Sequence, residues 1–326
     1  CYVATIAVPW QTYMLPQFIL MRSMGLYDTL TDYCSSDVYP FHMPGHKGIL
    51  SEHDITEIKG ADSLYEARGI IRESERNASR LFGTLDTFYS TEGSSQCIRA
   101  MLALVFKLCN ESGERRPVLA ARNVHRSFIT AAGLLDLDVK WLYPESVSAE
   151  SYPCSSLYSC IVTPEDVRRS LSEAEILPRA VYITSPDYLG NIPDIEGIAR
   201  AVHEFDIPLL VDNAHGAYLH FLEEPEHPMD LGADMCCDSA HKTLPALTGG
   251  AYLHIGRNAK RNESYAENAR RAMSLFGSTS PSYLILESLD RINKMIPEGL
   301  REDLRSVCKA AEDIKGSPKA DGWSVT

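Results

Sequence analysis

Apolar residues along this chain gather into short unbroken runs, separated by longer stretches in which they recur at helical spacing. Val118-Leu119-Ala120-Ala121, Val139-Lys140-Trp141-Leu142, Val181-Tyr182-Ile183-Thr184, Ile207-Pro208-Leu209-Leu210-Val211, Met235-Cys236-Cys237 and Ala251-Tyr252-Leu253-His254-Ile255 read as strands, as does Thr87-Phe88-Tyr89-Ser90. Helical spacing covers 26–34, 70–82, 97–108, 128–135, 194–205, 259–274 and 281–296. A further helix opens at Thr163-Pro164-Glu165-Asp166, with an N-cap, a proline in the first turn and two acids. The strands are continuous apolar runs rather than alternating ones, so both of their faces are buried. Strand and helix also take turns along the chain. The expected fold is therefore α/β, a mostly parallel sheet with helices on both faces.

In such a sheet ligands sit beyond the carboxyl ends of the strands. Four polar clusters fall there. Gly93-Ser94-Ser95 follows the strand ending at Ser90 and His125 follows Ala121. Asp212 closes the run ending at Val211, and Ser239-Ala240-His241-Lys242 follows Cys237. A Gly-Ser-Ser turn entering a helix offers free backbone N–H groups, hydroxyls and the positive end of the helix dipole, which suits a phosphate. Alone it is most often a plain N-cap; its neighbours give it weight. A lysine after Ser-x-His suits an amine held for a Schiff base, and a carboxylate at a buried strand end suits a protonated ring nitrogen. Lys242 and Asp212 thus read as the two poles of a pyridoxal phosphate site.

Charge and composition narrow the partners. The net charge of −13 argues against nucleic acid and is compatible with a cationic substrate. Nine cysteines without CxxC spacing form no disulfide framework, which fits a reducing, cytoplasmic setting. His42/His46 and His215/His220 lack the company of a metal motif, so no metal site is expected. No apolar run reaches the ~18 residues of a membrane span. Residues 1–25, broken by Pro9 and Pro16, are expected to be an extension outside the fold, poorly ordered or a gene-boundary artefact. Pro40-Phe41-His42-Met43-Pro44-Gly45-His46-Lys47-Gly48 is too heavily punctuated for a regular element and reads as a shaped loop, either a turn or the cover of a site.

Seven motifs, FHMPGHKG, DITEIKGADSLYEARGII, STEGSS, RNVHRS, PLLVDNAHGAYLHF, DSAHKTLPALTGG and GSTSPSYLILESLD, stand in one order along the chain. From about Leu26 to the end the sequence resembles the Orn/Lys/Arg decarboxylase family, pyridoxal phosphate enzymes of fold type I. The resemblance implies that Lys242 is the Schiff-base lysine, that Asp212 pairs with the pyridinium nitrogen and that His125 stacks on the ring. It implies that Ser94, Ser95, Ser239 and, as one option, His241 hold the phosphate, that Lys242 or His241 returns a proton to Cα, and that His215 lies against the cofactor or substrate. Thr279 and Ser280 resemble a segment that reaches the partner subunit's phosphate, which implies a homodimer with shared active sites. The implied reaction is decarboxylation of lysine, arginine or ornithine to a di- or polyamine, by a shorter, biosynthetic-type member.

Two departures from the family pattern stand out. Asn213 occupies the position where many relatives carry Glu. Relatives also continue past the equivalent of Thr326 into a further domain. The expected division is therefore an extension over 1–25, a cofactor-binding major domain over 26–300, and the start of a truncated C-terminal domain over 301–326. Two other readings stay open: another fold type I reaction, such as transamination or C–S lysis, or a truncated, non-catalytic dimerisation partner.

Overall fold

The computed structural model describes residues 25–36, 38–40, 42–110, 112–144, 160–257 and 261–316; the expected N-terminal extension lies outside them except for Gly25. Among the described residues seven strands form one sheet: β1 (Asp86–Ser90), β2 (Val118–Ala121), β3 (Val139–Leu142), β4 (Ala180–Thr184), β5 (Leu209–Asp212), β6 (Met235–Asp238) and β7 (Ala251–Ile255). Their spatial order is β1-β7-β6-β5-β4-β2-β3. The five strands from β3 to β6 are parallel, while β7 runs antiparallel to both β6 and β1. Two reversals cancel, so β1 points the same way as the parallel five. The carboxyl ends of six strands, and the entry to β7, therefore share one edge.

Strand pleat decides which helices cover which face. Val118, Ala120, Tyr182, Leu210, Met235, Cys237 and Leu253 point to the face covered by α3 (Ser94–Ala103), α4 (Arg126–Leu134) and α8 (Asn262–Ser274). Leu119, Val181, Ile183, Leu209, Val211 and Cys236 point to the other, against α5 (Pro164–Ser172) and α6 (Ile195–His203). Toward β1 and β7, Tyr89 and Tyr252 continue that second face beneath α1 (Leu26–Cys34), α2 (Ile70–Leu81) and α9 (Tyr283–Met295). Leu209, Leu210 and Val211 are all fully buried, which is why the parallel strands read as unbroken apolar runs.

Differences from the expected bounds are mostly a residue or two at element ends. Two are larger. The helix after Gly93 starts at Ser94 and passes into a π-helical turn at Leu104–Leu108, and the following helix starts at Arg126 rather than 128. In both, hydroxyl or imidazole side chains occupy the first turn, where an apolar pattern gives no signal. α10 (Arg301–Gly316) leaves Val307 64% exposed and touches the core through Leu304. Among the described residues no helix is long and apolar enough to cross a membrane.

Candidate active site

Two adjacent strand ends place the central pair. β5 ends in Asp212 and β6 in Asp238, which leads through Ser239 into the single-turn helix α7 (Ala240–Thr243) carrying Lys242. Asp212 is 2% exposed. Its Oδ2 accepts the Tyr182 hydroxyl at 3.2 Å, and its Oδ1 accepts the Ala214 N–H at 3.2 Å. Cys237 Sγ lies 3.7 Å from the same Oδ1. Burial, with the Asp212 charge beside it, pushes the Tyr182 phenol well up, so Tyr182 stays a donor. The result is a carboxylate fixed at the sheet edge by three neighbours.

Lys242 is exposed, and its Nζ donates to His215 Nε2 at 3.1 Å. Burial, and then the Lys242 charge, hold the half-buried His215 imidazole below its ordinary value, so it accepts as a neutral ring. Tyr188 meets that ring edge-on at 5.5 Å. His241 donates from Nδ1 to the Gly250 carbonyl at 2.9 Å, which leaves Nε2 as its remaining exchangeable nitrogen.

The serines converge from three strand ends. Ser239 Oγ donates to Ser94 Oγ at 2.8 Å, joining the β6 and β1 exits across 145 residues. Ser95 Oγ and Ser127 Oγ are 2.7 Å apart, and Ser127 also bonds His125 Nδ1 through its hydroxyl at 3.0 Å and its N–H at 3.2 Å. His125 thus caps α4 with an exposed ring. Two glycines make the crossing possible. Gly93 precedes α3 at φ +71°. Gly249 accepts the Gly93 N–H at 2.8 Å at φ +99°, where a Cβ would stand 2.7 Å from the Thr91 carbonyl.

Thr279 and Ser280 are not drawn into this cluster. Both are exposed, and Ser280 N–H donates to Ser278 Oγ at 3.1 Å. Their loop begins at Gly277, against Tyr65 and Gln96 of the first turn of α3. In the 40–48 loop, His42 bonds Tyr33 at 2.7 Å and His46 bonds Asp54 at 3.1 Å. His220 pairs with Asp230 at 2.7 Å.

Reasoning from the sequence passed over several residues here. Tyr182 lies mid-strand, where an aromatic reads as core. Ser127 is one hydroxyl among many, and only its contacts with Ser95 and His125 single it out. His227 and His254 both reach Asp238 Oδ2, at 3.0 and 3.1 Å, and all three side chains are fully buried. They stand 11 and 16 residues from it, with no motif to connect them. Asn123 Oδ1, Ser185 Oγ and Thr243 Oγ1, which follow β2, β4 and Lys242, are buried without a hydrogen-bond partner among the described residues.

Residues 24–324 match the family described as Orn/Lys/Arg decarboxylase, major domain. The chain belongs to the Orn/Lys/Arg decarboxylase family. It is 31% identical over 305 residues to the uncharacterized protein YaaO of Bacillus subtilis (strain 168), covering 89% of this chain and 60% of that protein. It is 29% identical over 307 residues to an arginine decarboxylase of Bacillus anthracis, covering 90% of this chain and 59% of that one. The solved Francisella novicida lysine decarboxylase LdcF superimposes with a TM-score of 0.73 at 20% identity, over 93% of this chain and 45% of that one. The E. coli constitutive lysine decarboxylase gives 0.69 at 21%, over 98% and 48%. The chain spans about 60% of the length of the curated relatives it matches. Its fold is that of the fold type I major domain, a mostly parallel seven-stranded sheet between helices.

Proposed function

We propose that this chain carries the cofactor half of a pyridoxal phosphate-dependent decarboxylase acting on a basic amino acid: lysine, arginine or ornithine. One observation supports the reading above the others. The Lys242 amine and the Asp212 carboxylate leave adjacent parallel strands at one edge, beside hydroxyls converging on the first turn of α3. The donor set suits the cofactor: an amine for its aldehyde, a buried anion for its ring nitrogen, and hydroxyls with N–H groups for its phosphate. Bound pyridoxal phosphate supplies an electron sink for negative charge at the substrate Cα.

The protein's own residues then divide the work. Asp212 holds a proton at the ring nitrogen, because a buried anion favours the charged form of a cation facing it. Ser94, Ser95 and Ser239 hold the phosphate, and His125 presents its exposed ring to the cofactor face. His215 keeps the Lys242 amine oriented, and Lys242, or His241 through Nε2 once that nitrogen also carries a proton, returns a proton to Cα after CO2 leaves. Thr279 and Ser280 serve the site of a second copy, in a homodimer. Incubating the protein with pyridoxal phosphate and each of the three amino acids tests the reading. The expected result is a visible band lost in Lys242→Ala, with amine and CO2 released from one substrate. A band with keto acid or sulfide release would point to transamination or C–S lysis. A colourless protein would point to a non-catalytic partner.

A further inference from the structure

We propose that Asp238, acting through Asn213, is a positioning residue that locks the arm carrying Asp212 and His215 to the arm carrying Lys242. The inference rests on the cofactor reading above and concerns residues that the reading leaves unused.

Asp238 sits at the root of one arm. It ends β6, and the Lys242 N–H closes the next turn onto the Ser239 carbonyl at 3.0 Å. Asn213 sits at the root of the other. It follows Asp212, its carbonyl accepts the Gly216 N–H at 2.9 Å, and the turn so formed carries His215 toward Lys242 Nζ. The Asn213 amide donates to Asp238 Oδ1 at 2.6 Å and joins the two roots. Asn213 N–H also donates to the Cys237 carbonyl at 3.0 Å, so backbone and side chain cross the same gap.

Asp238 is itself held from behind. The His227 and His254 Nε2–H groups both donate to its Oδ2, and Phe82 covers the cluster, 4.7 Å from the His254 ring and 5.8 Å from the His227 ring. Three N–H donors on one carboxylate, with the Cys236 thiol 4.0 Å from its Oδ1 and no exposed atom, make it a rigid acceptor. Two imidazoles and a carboxylate also resemble a metal site, but the hydrogen bonds argue otherwise. His227 Nδ1 accepts the Met229 N–H at 3.3 Å, so the ring proton lies on Nε2, the atom a metal would need.

The arrangement accounts for Asn at 213. A carboxylate there would face Asp238 Oδ1 within hydrogen-bond distance in a dry setting, whereas an amide turns that contact into a bond. The remaining Asn213 Oδ1 has no partner among the described residues. The side chain is thus committed to the Asp238 bond even at the cost of one unpaired acceptor.

The test exploits the polarity of the pair. Asn213→Asp and Asp238→Asn each place two like groups, or a misdirected amide, in the gap. The double variant restores one amide and one carboxylate with their places exchanged. The amide introduced at position 238 can accept from both imidazoles through its oxygen while its NH2 donates to the carboxylate introduced at position 213. Each single variant is expected to weaken pyridoxal phosphate binding by tenfold or more and to reduce the visible circular dichroism of the bound cofactor, which reports ring orientation. The double variant is expected to return both to within threefold of the parent. Asn213→Ala leaves Asp238 its two imidazoles, and should weaken binding about tenfold while the cofactor-free protein still unfolds cooperatively. It keeps the test open if a carboxylate pair unfolds the chain. Singles that bind and orient the cofactor like the parent, or a double variant no better than the worse single, would overturn the inference alone. A parent protein that binds no pyridoxal phosphate would overturn the functional reading and the inference with it.

Discussion

The deep and outer halves of the site are built on different physical terms. In the deep half, Asp212, Asn213, Asp238, Ser239, His227 and His254 are buried, and most of their polar atoms bond one another, backbone, or buried neighbours such as Tyr182, Ser94 and Thr87. In the outer half, Lys242, His125, Thr279 and Ser280 are exposed. Their bonds are few, such as Lys242 to His215 and His125 to Ser127. The sheet fixes the deep half, because strand register sets where each buried group emerges. The outer half has positions but few restraints, and under the proposed function it is ordered by cofactor, substrate or a second subunit. Preorganisation thus sits where charge must be held, and freedom where groups must move.

Four changes bear on that contrast. Lys242→Ala should have the largest effect, a loss of roughly 10³-fold or more in amine release. The melting temperature of the cofactor-free protein should barely move, because an exposed side chain is removed. A large drop in stability would mean that Lys242 belongs with the deep half. Asp212→Asn should cost about 3 kcal/mol of cofactor binding, on the order of 10²-fold in affinity, as for a buried charge left without its partner. Titration of the cofactor-free protein checks it, and an unchanged affinity would remove Asp212 from the ring nitrogen.

Acid should then separate the halves by stability rather than binding. Burial holds the His254 imidazole below its ordinary 6.5, though Asp238 works in the other direction. The Asp238 carboxyl lies well below its ordinary 3.8: burial opposes its charge, and the two imidazoles facing it outweigh that. Each group binds fewer protons folded than unfolded, so each favours the folded state more as pH rises. On acidification the His254 contribution fades from about pH 6.5 downward and the Asp238 contribution from about pH 3.8 downward. Melting temperatures of the cofactor-free protein between about pH 8 and pH 3 should fall across the first window and continue into the second. A flat profile from about pH 7 to pH 5 would contradict a buried, neutral His254. The smallest effect belongs to Ser95→Ala, which removes one hydroxyl from the Ser95–Ser127–His125 chain. It should weaken cofactor binding by about 1 kcal/mol, roughly fivefold, measurable by fluorescence titration.

Much of the fold was legible because parallel strands buried on both faces write themselves as unbroken apolar runs, and Val118–Ala121 and Leu209–Val211 are such runs. The antiparallel setting of β7 was not legible. Ala251–Ile255 has the same apolar character as its parallel neighbours, and strand direction leaves no mark on composition. Motif residues such as Lys242, Asp212 and the serines stood out through their place after strands. Tyr182, Ser127, His227 and His254 did not, because each is an ordinary residue until a distant segment is packed against it.

By itself the sequence determined an α/β sheet with polar groups at its carboxyl edge, a Lys and an Asp suited to one cofactor, and a family resemblance. Local patterning and chain order carry that much, since hydrophobic period and turn chemistry act over a few residues. Only the tertiary structure decided that Ser239 meets Ser94, that β1 turns its exit to the same edge, and that Asn213 and Asp238 join the two arms of the site. The two side-chain contacts link residues 25 and 145 positions apart. The packing that brings them together sums many weak burials across the whole sheet, and no short stretch of sequence records that sum.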